Sequence, residues 1–111
     1  MDQLDTYRQM ICNTLQPYVE LTYANVDVRN RAAFDTENDQ YIILSEGWDH
    51  KRHLHGCLIH VEIIDSKVWV QQDGTEDGIT DDLVAAGIPK ADIVLGFQEP
   101  AVRLYTEFAI A

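Results

Sequence analysis

The chain has 111 residues, with nineteen acidic against eight basic side chains for a net charge of −11, and is 46% hydrophobic. That length fits one domain, residues 1–111, which can bury roughly two thirds of its unfolded surface, and the composition excludes a disordered chain. The charge excludes a phosphate-clasping protein: the acids crowd into Asp35 to Asp49 and Glu62 to Asp82, the only adjacent basic pair is Lys51-Arg52, and duplex affinity rests largely on Lys and Arg. No run approaches the roughly 20 apolar residues of a membrane span. The start, Met1-Asp2-Gln3-Leu4-Asp5, is acidic where a signal peptide is basic, so a cytoplasmic protein is expected. Cys12 and Cys57 fit no zinc or CxxC spacing, and free, buried thiols are expected.

Leu4, Tyr7, Ile11, Leu15 and Tyr18 recur at three- and four-residue spacing, with Met10 and Thr14 widening the stripe. This predicts an amphipathic helix ending near Leu15 to Tyr18, bounded by Pro17. The period then changes. Val26 to Arg29 and Ala32 to Phe34 read as a strand, Asp35 to Asp39 as a polar turn, and Gln40 to Leu44 as a second strand. Gly47 to Lys51 is the next predicted turn. His53 to Ile64 is a long strand with Cys57, Ile59, Val61 and Ile63 on one face, and Asp65-Ser66 a tight hairpin into Val68 to Gln71.

Beyond Asp73-Gly74, Thr75 is placed to cap a helix, with Glu76 and Asp77 at the positive end of its dipole. Ile79, Leu83 and Ala86 share its face, and Gly87 with Pro89 stops it. Asp92 to Phe97 fits a helical turn or a strand equally, and the apolar tail Phe108 to Ala111 is expected to be docked. The fold class is therefore α+β: an N-terminal helix, a four-stranded antiparallel meander, and a C-terminal helix with the apolar tail packed on one face.

The chemistry-bearing residues are few. His50, His53, His55 and His60 invite a metal, but strand alternation turns His60 away from His53 and His55, and no third ligand is nominated. His60 and Glu62 share a face, beside Trp69, Gln71 and Asp73 on the neighbouring strand. Such a pair serves acid–base chemistry when burial tunes it, and is more often a structural hydrogen bond. No nucleophile or phosphate loop stands out, so no catalytic residue, cofactor or metal is expected. Trp69, between Val68 and Val70, reads as core, whereas Trp48 beside a turn is a candidate for contact with a partner. Arg103 is a candidate to pair with Glu62 or Asp73. The partner-facing candidates are Trp48, Arg52, His60, Glu62, Trp69, Gln71, Asp73, Thr75, Glu76, Arg103 and Phe108.

The run Lys67 to Ile79 (KVWVQQDGTEDGI), continuing through Leu83 to Phe97 and closing with Arg103, Tyr105-Thr106 and Phe108 to Ala111, resembles the XisI family, the fdxN-element excision controlling factors of cyanobacteria. Upstream, Tyr7-Arg8, Phe34-Asp35, Tyr41, Gly47-Trp48, Arg52, Gly56-Cys57 and His60 fall where that family has equivalents. The resemblance implies a non-catalytic role in site-specific DNA rearrangement during heterocyst development. The implied partners are a recombinase or the nuclease-like XisH, reached by protein contact. Two other readings fit the same residues: an acidic, antitoxin-like inhibitor of a nuclease, and a small enzyme or ligand-binding domain using the His60, Glu62 and Trp69 face. Self-association is open.

Overall fold

The computed structural model describes residues 3–111; Met1 and Asp2, part of the acidic start, lie outside the described residues. Helix α1 (Gln3–Leu15) buries Tyr7, Ile11 and Leu15, the stripe predicted by spacing, and a 3-10 turn, Gln16–Glu20, follows with Pro17 in its first turn. Strands β1 (Asp27–Asp35), β2 (Gln40–Asp49), β3 (Arg52–Ile64) and β4 (Lys67–Asp73) form the antiparallel meander. The turn between β2 and β3 is shorter than predicted. Gly47 to Asp49 continue β2, and His50 (φ 56°) makes the reversal with Lys51. The β3–β4 turn falls at Asp65 and Ser66 as expected, both at positive φ (50° and 67°), the pattern of a primed hairpin turn.

Helix α2 (Ile79–Ala86) begins three residues later than predicted, with Gly78 rather than Thr75 at its cap position. Asp73 explains the delay: its Oδ2 accepts the Ile79 amide at 2.8 Å, and its Oδ1 accepts the Thr75 amide and hydroxyl. Thr75 Oγ1 in turn accepts the Gly78 amide, so Thr75, Glu76 and Asp77 belong to the lead-in loop. Ile79 and Leu83 are buried, but Ala86 is exposed at the helix end. Gly87 at φ 118° lets its amide reach Val84 O and the Ile88 amide reach Leu83 O, a left-handed stop that seats Ile88 in the core.

The predicted four-stranded meander is corrected here to a five-stranded mixed sheet in the order β1-β2-β3-β4-β5. After a 3-10 turn (Lys90–Asp92), β5 (Ile93–Leu95) pairs parallel with β4, since the long connection through α2 supplies the crossover. This resolves Asp92 to Phe97: the three residues Ile93 to Leu95 are buried as a strand. The tail is docked as expected, with Phe108 packed against the core. It wraps the outer edge of β5, with the Ala109 amide donating to Ile93 O at 2.9 Å and Lys67 Nζ to Ala111 O at 2.7 Å. A short helix α3 (Pro100–Arg103) leads into it.

The core lies between α1, α2 and one sheet face, built on Tyr41, Ile43, Ile59, Val61, Val68 and Val70. Each such aliphatic side chain contributes about 1.5–3 kcal/mol on burial. Among the described residues Asn30 and Thr80 are the buried polar side chains, and Asn30 is the one that bonds widely. Its Nδ2 donates to Tyr18 O (2.7 Å) and Tyr23 Oη (3.0 Å), and its Oδ1 accepts from Ser45 Oγ (2.6 Å), tying the 3-10 turn to the sheet. Among the described residues no helix is long and apolar enough to cross a membrane.

Candidate functional site

Two β-bulges decide what the open face of the sheet presents. Ile43 pairs with Ile59 but Leu44 with Cys57, leaving Leu58 as an extra residue in β3. His60 pairs with Gln72 but Val61 with Val70, leaving Gln71 extra in β4. An extra residue reverses the alternation on one side of the bulge. Three expectations change as a result. Cys57 leaves the face of Ile59 and Val61 and is exposed, so the buried-thiol reading fails for it; Cys12 is half-buried. His60 joins His53 and His55 on the open face instead of opposing them. Asp73 turns to the helical side to cap α2, away from Trp69 and Gln71.

On the open face, His60, Gln40, Glu62 and Gln71 form one chain of hydrogen bonds. Gln40 Nε2 donates to Glu62 Oε1 at 2.6 Å, which turns Gln40 Oε1 toward His60 Nε2 at 2.7 Å. A carbonyl oxygen only accepts, so His60 carries its proton on Nε2. Gln71 Nε2 donates to the second carboxylate oxygen of Glu62 at 2.8 Å. The predicted His60–Glu62 pair thus exists only through Gln40, and both Glu62 oxygens are engaged by carboxamides. This network clips β2, β3 and β4 together.

Trp69, read as core, is half-buried on the same open face. The guanidinium of Arg103 lies over its ring, 5.2 Å from the centroid, and donates to Leu95 O and Gly96 O at 3.2 and 3.3 Å. Arg103 therefore pairs with neither Glu62 nor Asp73; it locks α3 across the sheet through a cation–π contact and two carbonyls. Phe108 is half-buried against the core, with Lys90 Nζ 5.8 Å from its ring centroid.

The remaining candidates lie elsewhere. Trp48 is 50% exposed near the β2–β3 turn, its ring 4.7 Å from His53, and Arg52 is exposed beside it. The His53 and His55 rings stand 6.1 Å apart, but among the described residues no three His, Cys, Asp or Glu side chains converge as a metal site. Thr75 and Glu76 lie on the helical side, along a groove of about 580 Å³ walled by Tyr18 and Leu21. The candidates thus occupy four places, the open face, the β2–β3 turn, the groove and, for Phe108, the docked tail, and form no single site. Reading the sequence missed Leu21, Tyr23, Leu104 and Tyr105, large apolar side chains left exposed. They follow helix ends without periodicity, and only that clustering of aromatic and aliphatic residues in a loop marks them.

The charge is unevenly spread. Alternation from the register places Asp27, Arg29, Arg31, Asp35, Glu46, Glu62 and Lys67 on the open face, and Arg103 joins them from the tail. Acids and bases balance there, so the excess of −11 belongs to the helical side, the turns and the ends of the strands.

Comparison with known proteins agrees with this architecture. The chain is similar to a XisI-like protein from Anabaena variabilis ATCC 29413, with a TM-score of 0.89 and 34% identity over 98% of this chain and 100% of that one. It is also similar to the fdxN element excision controlling factor XisI of the same organism, with a TM-score of 0.84 and 38% identity over 99% of this chain and 100% of that one. No curated protein matches the sequence. The model of the family described as XisI protein matches residues 1–110, and the chain belongs to that family.

Proposed function

We propose that this protein is a non-catalytic controlling factor for site-specific excision of a DNA element of the fdxN type, acting by contact with a recombinase or a nuclease-like companion. The observation that carries the reading is the likeness, in sequence and fold and over nearly the whole chain, to the excision controlling factor XisI. Two structural features support the mode of action. The open sheet face balances its charges and the rest of the molecule is anionic, which disfavours phosphate contacts and favours a basic protein surface. Both oxygens of Glu62 are held by Gln40 and Gln71, which suits a structural clip better than an acid–base centre.

The test is affinity purification of the tagged chain from its native host, with the excised DNA junction counted in cells lacking it. The reading expects a recombinase or nuclease-like protein to co-elute and junctions to fall. Unchanged junction counts with no such partner would overturn it. The acidic excess also suits a nuclease inhibitor. Mixing separates the two, because an inhibitor abolishes the companion's cleavage and a controlling factor redirects it.

A further inference from the structure

The groove on the helical side has a floor and a rim of opposite character. Its floor includes Leu21 and Tyr23, 46% and 38% exposed, and the bulged Leu58. Its rim carries Glu76, Asp77 and Asp82, and none of its lining residues is basic. Exposed leucine and tyrosine side by side in a concave surface form an apolar contact area open to solvent. Three carboxylates among the lining residues set the sign of what can enter.

The walls are held in place before anything binds. Tyr18 Oη donates to Asp82 Oδ2 at 2.9 Å, joining the 3-10 turn to α2 across the groove. Asn30 fixes the Tyr18 carbonyl and the Tyr23 hydroxyl from beneath. On the far side Asp73 and Thr75 set the loop that carries Glu76 and Asp77. A surface ordered in advance loses less conformational entropy on binding. Glu76 and Asp77 themselves are exposed, and among the described residues neither makes an ion pair.

We infer that this groove docks a basic segment of a partner protein, which lays an aliphatic or aromatic side chain on Leu21 and Tyr23 and sets Lys or Arg against Glu76, Asp77 and Asp82. The inference rests on the protein-contact reading above and adds where contact is made and what chemistry it selects. The charge argues against other occupants. Nucleic acid and anionic membrane are repelled by the rim, and a second copy would bring another net charge of −11. A basic segment is drawn in by the same field, within a Debye length of about 8 Å at physiological salt.

The experiment titrates the full chain against a labelled peptide of alternating lysine and leucine, with a glutamate–leucine peptide as control, by fluorescence anisotropy. Two variants are compared with the native chain: Glu76→Lys with Asp77→Lys, and Leu21→Ser, all at exposed positions, with melting curves confirming the fold. The lysine–leucine peptide is expected to bind the native chain, and each variant to weaken it about tenfold. Added salt should weaken the native complex more steeply than that of the charge-reversed variant. Equal binding of both peptides, no binding to the native chain, or unchanged affinity in both variants would overturn the inference. Co-purification keeps the two failures apart: a partner retained equally by native and charge-reversed chains preserves the protein-contact reading while removing this groove from it.

Discussion

Arg8 joins helix α1 to the far end of the sheet through one carboxylate. Its Nε donates to Asp39 Oδ1 at 2.8 Å and a terminal nitrogen to Oδ2 at 3.2 Å, while Tyr41 Oη donates to Oδ1 at 2.9 Å. The Arg8 bonds, and then the Tyr41 hydroxyl, hold the Asp39 carboxyl below the usual carboxylate range. A carboxylate depressed on folding contributes stability that is full above its unfolded value near 4 and is lost as pH falls through the folded value. Asp39→Asn should therefore be less stable than the native chain at neutral pH, with the gap closing below about pH 4. Urea unfolding across that range measures it, and a gap constant with pH would refute the assignment. Arg103 acts likewise on the open face. A lysine keeps the charge but loses the planar stack on Trp69 and the fork onto Leu95 O and Gly96 O. Arg103→Lys should cost about 1–2 kcal/mol in denaturant unfolding.

At the scale of elements, the first hairpin depends on a missing side chain. A Cβ on Gly47 would stand 1.9 Å from Asp27 O and 2.6 Å from Val28 Cα, both backbone atoms of the neighbouring strand. Gly47→Ala must push β1 off β2 and should cost at least about 2 kcal/mol, whereas Gly56→Ala, whose Cβ meets nothing within 4 Å, should lie within about 0.5 kcal/mol of native. Thermal melts of the two variants side by side decide the point. The sheet's other edge depends on the tail. Removing Phe108 to Ala111 strips the Ala109 bond to Ile93, the Lys67 bond to Ala111 and the packing of Phe108, and leaves the outer edge of β5 bare. A loss of about 2 kcal/mol is expected, with hydrogen exchange quickening first along β5. An unchanged melting temperature would show the tail to be idle.

For the molecule as a whole, the distribution of charge governs partners. Arg29 and Arg31 on β1 are the basic side chains a duplex would seek, but Glu46 opposes Arg29 across the strand pair and Glu62 lies on the same face. The open face carries as many acids as bases. Micromolar protein should therefore leave duplex DNA unshifted at about 0.15 M salt. A discrete shifted band from this chain alone would overturn that expectation and the protein-mediated route to excision with it.

Periodicity alone was enough to find α1, the four meander strands, the Asp65-Ser66 turn and the stop at Gly87, because each depends on residues within a turn or a hairpin of one another. The long run from Lys67 to Phe97 was also enough to recognise the family. Four features depended on the tertiary structure: the two bulges, the parallel pairing of β5, the cap that Asp73 places on α2, and the seat of Arg103 on Trp69. A bulge leaves no mark on hydrophobic spacing until the neighbouring strand is present. Yet each one reverses the face of every residue beyond it, which brought Cys57, His55 and His53 to the open face beside His60 and sent Asp73 to the helical side. The groove likewise joins Leu21, Leu58 and Glu76, which only the folded chain brings together.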